Sequence, residues 1–296
     1  MTIRERRRTT SSGRHASNTR HHHHDRHAVP SSPTFLLSQG GAQQPSLFGM
    51  PLPRRLAVAY GAVLAFNSGY MNGLCLHGIF WDTKQAVAAM TGSYTNSALA
   101  AAATSTTAQP SFLALQMKVL FGYISGAAVA GALNPRPDPF HIHTLNVGVT
   151  FWLAAAALVV AQTFFLDGSQ GDTSRHWFFA LAAVANGMQN SITSVHTANL
   201  VRTTHYTGIS SDMGTFVGQA LRGNWENVHK LKVFALLALS FWTGGFLSVK
   251  IGTKRNGLWA SARLYAILGG VLLYQNVKQW QQHKVTATTT TKKMMA

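Results

Sequence analysis

From Leu145 to Leu166 the chain runs for 22 residues without one charged side chain. A helix of about 20 mostly apolar residues spans the hydrocarbon of a bilayer. In lipid every backbone N–H and C=O must also be satisfied within the segment, so helix is the form such a stretch takes. Comparable stretches occur at Leu56–Leu76, Phe112–Leu133, His176–Ala198, Val233–Val249 and Gly257–Tyr274. The expectation is therefore an all-α, polytopic integral membrane protein with about six transmembrane helices. A seventh segment, Ile79–Ala103, is moderately apolar but broken by Asp82, Lys84 and the pair Thr91-Gly92.

Composition bears on the same point. Charged residues make up 11% of the chain, against about 25% in a globular domain. That is too few to cover a water-facing surface. The formal net charge is +17, but its distribution argues against a nucleic-acid surface. Arg4, Arg6, Arg7, Arg8, Arg14, Arg20 and Arg26 all lie in a polar leader, residues 1–50, where Glu5 and Asp25 are the only acids. Such a block reads as a solvated segment, and its Arg/Ser-rich, acid-poor character suits either an organellar transit peptide or plain disorder. No apolar run of signal-peptide length opens it. The run His21–His24 reads as a low-complexity tract without a metal role. A transmembrane domain follows at 51–278, then a polar C-terminal tail at 279–296. Cys75 is the sole cysteine, which excludes an intramolecular disulfide and a cysteine metal cluster.

One arrangement occurs twice. Gly69-Tyr70-Met71-Asn72 precedes Met90-Thr91-Gly92-Ser93-Tyr94-Thr95-Asn96; Gly187-Met188-Gln189-Asn190 precedes Val201 to Asp212, with Thr207-Gly208 inside it. The copies stand 118 residues apart. Two repeats follow, about 54–166 and 175–276. With three spans each, the second enters the bilayer inverted relative to the first, a recurrent architecture of secondary transporters with a mid-membrane site at interrupted helices. Thr91-Gly92 and Thr207-Gly208 are the expected break points of broken or re-entrant segments, glycine supplying backbone freedom and the hydroxyls satisfying freed amides. The competing reading makes each motif an amphipathic connection on the membrane surface. With both termini cytoplasmic, nine Lys and Arg lie near the spans on that side and five on the other, which favours this orientation.

The run Gly187-Met-Gln-Asn190 through Arg202-Thr-Thr-His205-Tyr-Thr-Gly208 to Asp212 resembles the signature of the YoaK family, the uncharacterised UPF0700 or DUF1275 membrane proteins. The resemblance extends more weakly over Leu56 to about Lys278. It implies a multi-helix integral membrane protein with no settled reaction; transport of small metabolites is an expectation only. The first copy departs from the pattern. Asn72 stands where the family has Asp, and Ser93 where it has Asn, which weighs against a proton- or cation-handling role there.

Candidate substrate-binding residues are Asn72, Thr91, Gly92, Asn96, Lys118, Gln189, Asn190, Arg202, Thr203, Thr204, His205, Thr207, Gly208 and Asp212. A charge within the membrane is costly and usually faces protein or a watery cavity. Arg202 is expected either to meet an anionic substrate group, to pair with Asp212, or to anchor to lipid phosphate. His205 belongs to the residue type that titrates near neutral pH. Lys118 either lines the path or snorkels to a head group. Asn67, Ser68, Asn72, Gln189 and Asn190 suit interhelical hydrogen bonds as well as ligand contacts. Gly122 and Gly126, with Gly244-Gly245, are expected to let helices approach closely. His141 and His143 read as a solvated pair.

Signatures of a phosphate-binding loop, a His-Glu-x-x-His zinc site and a Gly-x-Ser-x-Gly nucleophile are all missing. The expectation is a non-enzymatic protein with no catalytic residues, no metal and no cofactor, most simply a small-solute transporter. A membrane scaffold or an intramembrane lipid-active enzyme is the alternative, and a tail-based RNA or lipid binder a weaker third. Expected partners are the bilayer and an unidentified solute, not nucleic acid; a homo-oligomer stays open, as does the choice between plasma and organellar membrane.

Overall fold

The computed structural model describes residues 52–102, 110–166 and 171–295; the basic leader and its four histidines lie outside the described residues. Within them the chain forms eight helices and no strand: α1 Leu52–Leu76, α2 Met90–Ala102, α3 Pro110–Leu133, α4 Leu145–Leu166, α5 Asp172–His196, α6 Tyr206–Leu221, α7 Val228–Ile251 and α8 Gly257–Met295. The boundaries follow local chemistry. Pro110 opens α3 at a position where its missing N–H costs nothing. The helix ends before Asn134-Pro135, since a residue ahead of proline is pushed out of the helical region. The Asn134 amide donates back to the Ala130 carbonyl at 2.9 Å. The polar stretch after Lys278 prolongs α8 as helix to Met295.

Among the described residues four helices are long and apolar enough to cross a membrane: Pro110–Leu133, Leu145–Leu166, Val228–Ile251 and Gly257–Gln282. By that measure the six expected spans become four. The remaining two, α1 and α5, match them in length at 25 residues each. Their middles, however, carry Asn67, Ser68 and Asn72, or Asn186, Gln189 and Asn190, all polar. These polar middles face other helices: Asn67, Ser68, Asn186 and Gln189 are all buried. Outward-facing positions are apolar and bulky instead, as at Phe121, Trp152, Leu239, Trp242 and Ile267, all exposed. An exterior so covered suits lipid rather than water.

Helices pair along glycines. α1 lies along α7 and α3 along α5, while α4 packs on α8 and α5. A Cβ on Gly69 would overlap the Phe241 carbonyl, and one on Gly244 the Phe66 carbonyl. In the other pair, Gly126 abuts the Val184 carbonyl and Gly187 that of Tyr123. The close approach expected of Gly122, Gly126 and Gly244 is therefore present. The short helices α2 and α6 rest on α3 and α7 respectively.

The Thr-Gly pairs are not where the breaks fall. Each sits in the first turn of its short helix, and the interruptions are the preceding connections, 77–89 and 197–205. The second connection turns back through left-handed Ala198 (φ 49°) and Asn199 (φ 62°). Neither Gly92 nor Gly208 has a positive φ, so conformational freedom is not what glycine contributes there. At Gly208 a Cβ would meet the His205 ring, which is exposed and would have to shift; at Gly92 the space is open.

Candidate functional site

The polar interior is built from α1 and α5 outward. Ser68 donates to Asn186 Oδ1 at 3.1 Å. Gln189 shares its two amide protons among the Leu64 carbonyl (2.9 Å), Ser68 Oγ (2.7 Å) and Thr203 Oγ1 (3.0 Å). The Tyr265 hydroxyl of α8 donates to Gln189 Oε1. Gln189, Asn186, Ser68 and Thr203 are each shut away from solvent. A buried network of this kind holds helices in one register, its polar groups turned to one another.

The two connections are held in parallel ways. Asn72 Oδ1 accepts from the backbone N–H of Val87 (3.0 Å) and Ala88 (3.2 Å), just before α2. Asn190 Oδ1 accepts from the Thr204 N–H at 3.3 Å, just before α6. Each asparagine thus satisfies amides near the end of the connection that follows its helix.

Between the starts of α2 and α6 lies a cavity of about 370 Å³. Met90, Thr91 and Tyr94 line it from α2, and Tyr206 and Thr207 from α6; Asn190, Thr204 and His205 come from α5 and its connection. Tyr123 of α3 closes one wall, its hydroxyl 2.6 Å from Thr204 Oγ1. The lining is aromatic and hydroxylic, it offers one imidazole, and no carboxylate lines it. Such a space accepts a small molecule through stacking and neutral hydrogen bonds. Among the described residues no group of three or more His, Cys, Asp or Glu is placed to hold a metal ion.

The family model for DUF1275, protein of unknown function, matches residues 60–274. The chain belongs to the DUF1275 family. No curated protein and no solved structure matches it. Of the residues singled out in this DUF1275 chain, Thr91, Asn190, Thr204, His205 and Thr207 meet around the cavity. Asn72, Gln189 and Thr203 stand behind it, committed to the hydrogen bonds above. Gly208 sits beneath the His205 ring.

Others go elsewhere. Gly92 and Asn96 are exposed on α2 and do not line the cavity. Lys118 lies over the Trp177 ring at 5.5 Å, a cation–π contact between α3 and α5. Arg202 and Asp212 are half-buried, and the pair expected between them does not form: the ion pairs among the described residues are His141–Asp138 and Arg175–Asp172. Of the two histidines expected to be solvated, His141 is exposed, whereas His143 is half-buried beside the Tyr60 ring. Sequence reasoning missed Tyr123, Tyr206 and Tyr94. A tyrosine inside an apolar span is itself a signal, because its hydroxyl needs a partner there.

Proposed function

We propose that the chain is a small-solute transporter built as two inverted repeats, with the cavity between α2 and α6 as its solute site. On this reading α1 and α5 also cross the bilayer, making six spans with both termini on the cytoplasmic side, and α2 and α6 dip in from opposite faces.

The observation that carries the reading is a contact between repeats. Ser68 and Asn186, which touch, stand 118 residues apart, the offset that relates the two motif copies. A residue that touches its own counterpart lies at a local two-fold axis. Around that point α1 and α5 run antiparallel, because Leu64 meets Gln189 while Met71 meets Asn186. The glycine contacts obey the same exchange: adding or subtracting 118 turns Gly126–Val184 into Gly244–Phe66, and Gly187–Tyr123 into Gly69–Phe241. An antiparallel axis between two halves is the geometry of an inverted repeat.

The test is flux into liposomes bearing the purified protein, with labelled amino acids, mono- and dicarboxylates, sugars and nucleosides as the panel. Thr91→Trp, which fills the cavity from an exposed position, should abolish any flux found, and Thr204→Val should lower it. Undiminished flux in Thr91→Trp would sink the site assignment, and an absence of flux across the panel would favour the scaffold reading.

A further inference from the structure

We propose that the outward groove between α4 and α8 is a binding site for one anionic phospholipid, its acyl chain on the groove floor and its phosphate on Arg263. The inference rests on α4 and α8 crossing the bilayer, and not on transport. The groove has a volume of about 410 Å³. Its floor is made of small and branched side chains, Ala155, Ala156, Val159 and Val160 on α4 with Ala262 and Ala266 on α8. Trp152 stands at one end and Trp259 at the other.

Arg263 is the one charged group in this apolar lining. It is exposed, about two turns into a membrane-crossing helix, and neither ion pair among the described residues involves it. A guanidinium so placed must reach water, a carboxylate or a phosphate, and no carboxylate lines the groove. Trp259 lies one turn nearer the helix start, where an indole marks the head-group level. The connection before it, Gly252 to Asn256, carries Lys254 and Arg255 and no acid. Gln162 Nε2 holds that connection to the end of α4 through the Lys254 carbonyl at 3.1 Å. One end of the groove is thus basic and aromatic, and the remainder is apolar. That polarity matches a glycerophospholipid, and Arg binds its phosphate through a two-pronged hydrogen bond.

The test uses the purified full chain in a mild detergent. Palmitoyl-oleoyl phosphatidylglycerol is titrated against phosphatidylcholine of the same chains, following thermal unfolding and the lipid retained in native mass spectrometry. The expected result is a larger rise in melting temperature with phosphatidylglycerol and retention of one molecule. Arg263→Gln should weaken that lipid about fivefold, the effect of one basic group at an anionic surface, while Arg263→Lys keeps part of the preference. Ala156→Trp, which fills the floor, should reduce retention of both lipids. Equal stabilisation by the two lipids, or an unchanged preference in Arg263→Gln, would overturn the proposal. So would the same shift with glycerol 3-phosphate alone, which would make the ligand a soluble phosphate. Cross-linking of Ala156→Cys into a dimer that phosphatidylglycerol does not suppress would also overturn it, with a second copy as the occupant.

Discussion

In the first half of the chain, Gln85 donates to Ser93 Oγ at 3.1 Å and accepts from Gln116 at 2.6 Å, tying α2 and its connection to α3. On the inverted-repeat reading, the corresponding positions in the second half are 116 residues on for the connection and short helix, and 118 on for the long helix: Val201, Ile209 and Phe234. These three sit together in an apolar cluster that ties α6 and its connection to α7. One joint is held by amides, its counterpart by hydrocarbon. The reverse holds next door. Ala86-Val87-Ala88-Ala89 before α2 corresponds to Arg202-Thr203-Thr204-His205 before α6, and Phe241 corresponds to Tyr123. The second half therefore places its polar groups at the cavity and its apolar ones in the joint. On that reading a shared backbone plan fixes which positions meet, whereas the side chains decide which joint is fastened and which space can take a ligand.

The largest effects should come where both halves agree. Gly126→Val and Gly244→Val each drive a side chain into a facing carbonyl, so each should cost about 3 kcal/mol, the upper end of what overpacking costs. Gly131→Val, with open space around it, should leave the melting temperature nearly unchanged. Equal tolerance of all three would break the close-packing account. Next comes Tyr265→Phe, which strands the buried Gln189 Oε1 and should cost about 2 kcal/mol in thermal unfolding.

Moving one half's joint into the other sharpens the comparison further. Gln85→Val, Ser93→Ile and Gln116→Phe should each destabilise singly by about 1–2 kcal/mol through the unpaired partner left behind. The triple variant should recover at least about 1 kcal/mol of their sum, as residues in contact are not additive. Strict additivity would mean that the two joints are not equivalent. A smaller stability effect than these joint variants is expected of Tyr123→Phe, which copies Phe241 into the cavity. It should shift stability by less than about 1 kcal/mol while lowering solute flux in the liposome assay.

Much of this was legible beforehand, for identifiable reasons. Uncharged stretches such as Leu145–Leu166 announce lipid as solvent, and small residues at four-residue spacing such as Gly122 and Gly126 announce close helix contact. The duplicated motif pointed to the two connections that flank the cavity. Polar side chains were harder to read, because composition does not say whether a hydrogen-bonding group meets a helix or a ligand. Asn72 looked like a site residue and binds backbone amides instead. Lys118, which the sequence leaves between lining a path and snorkelling to a head group, rests on an indole. Tyr123 was overlooked because its neighbours on α3 are apolar. The sequence counts α1 and α5 among six spans, whereas their central amides keep both out of the set of four helices apolar enough to cross a membrane.

If the two halves are inverted repeats, as proposed, the Ser68–Asn186 bond carries one more consequence. If two identical half-length chains met about such an axis, this position would face its own twin, hydroxyl against hydroxyl or amide against amide. Joined in one polypeptide, the two sites are free to differ. Here a small donor sits opposite a longer acceptor, a pairing closed to identical subunits, and tandem linkage is what permits it.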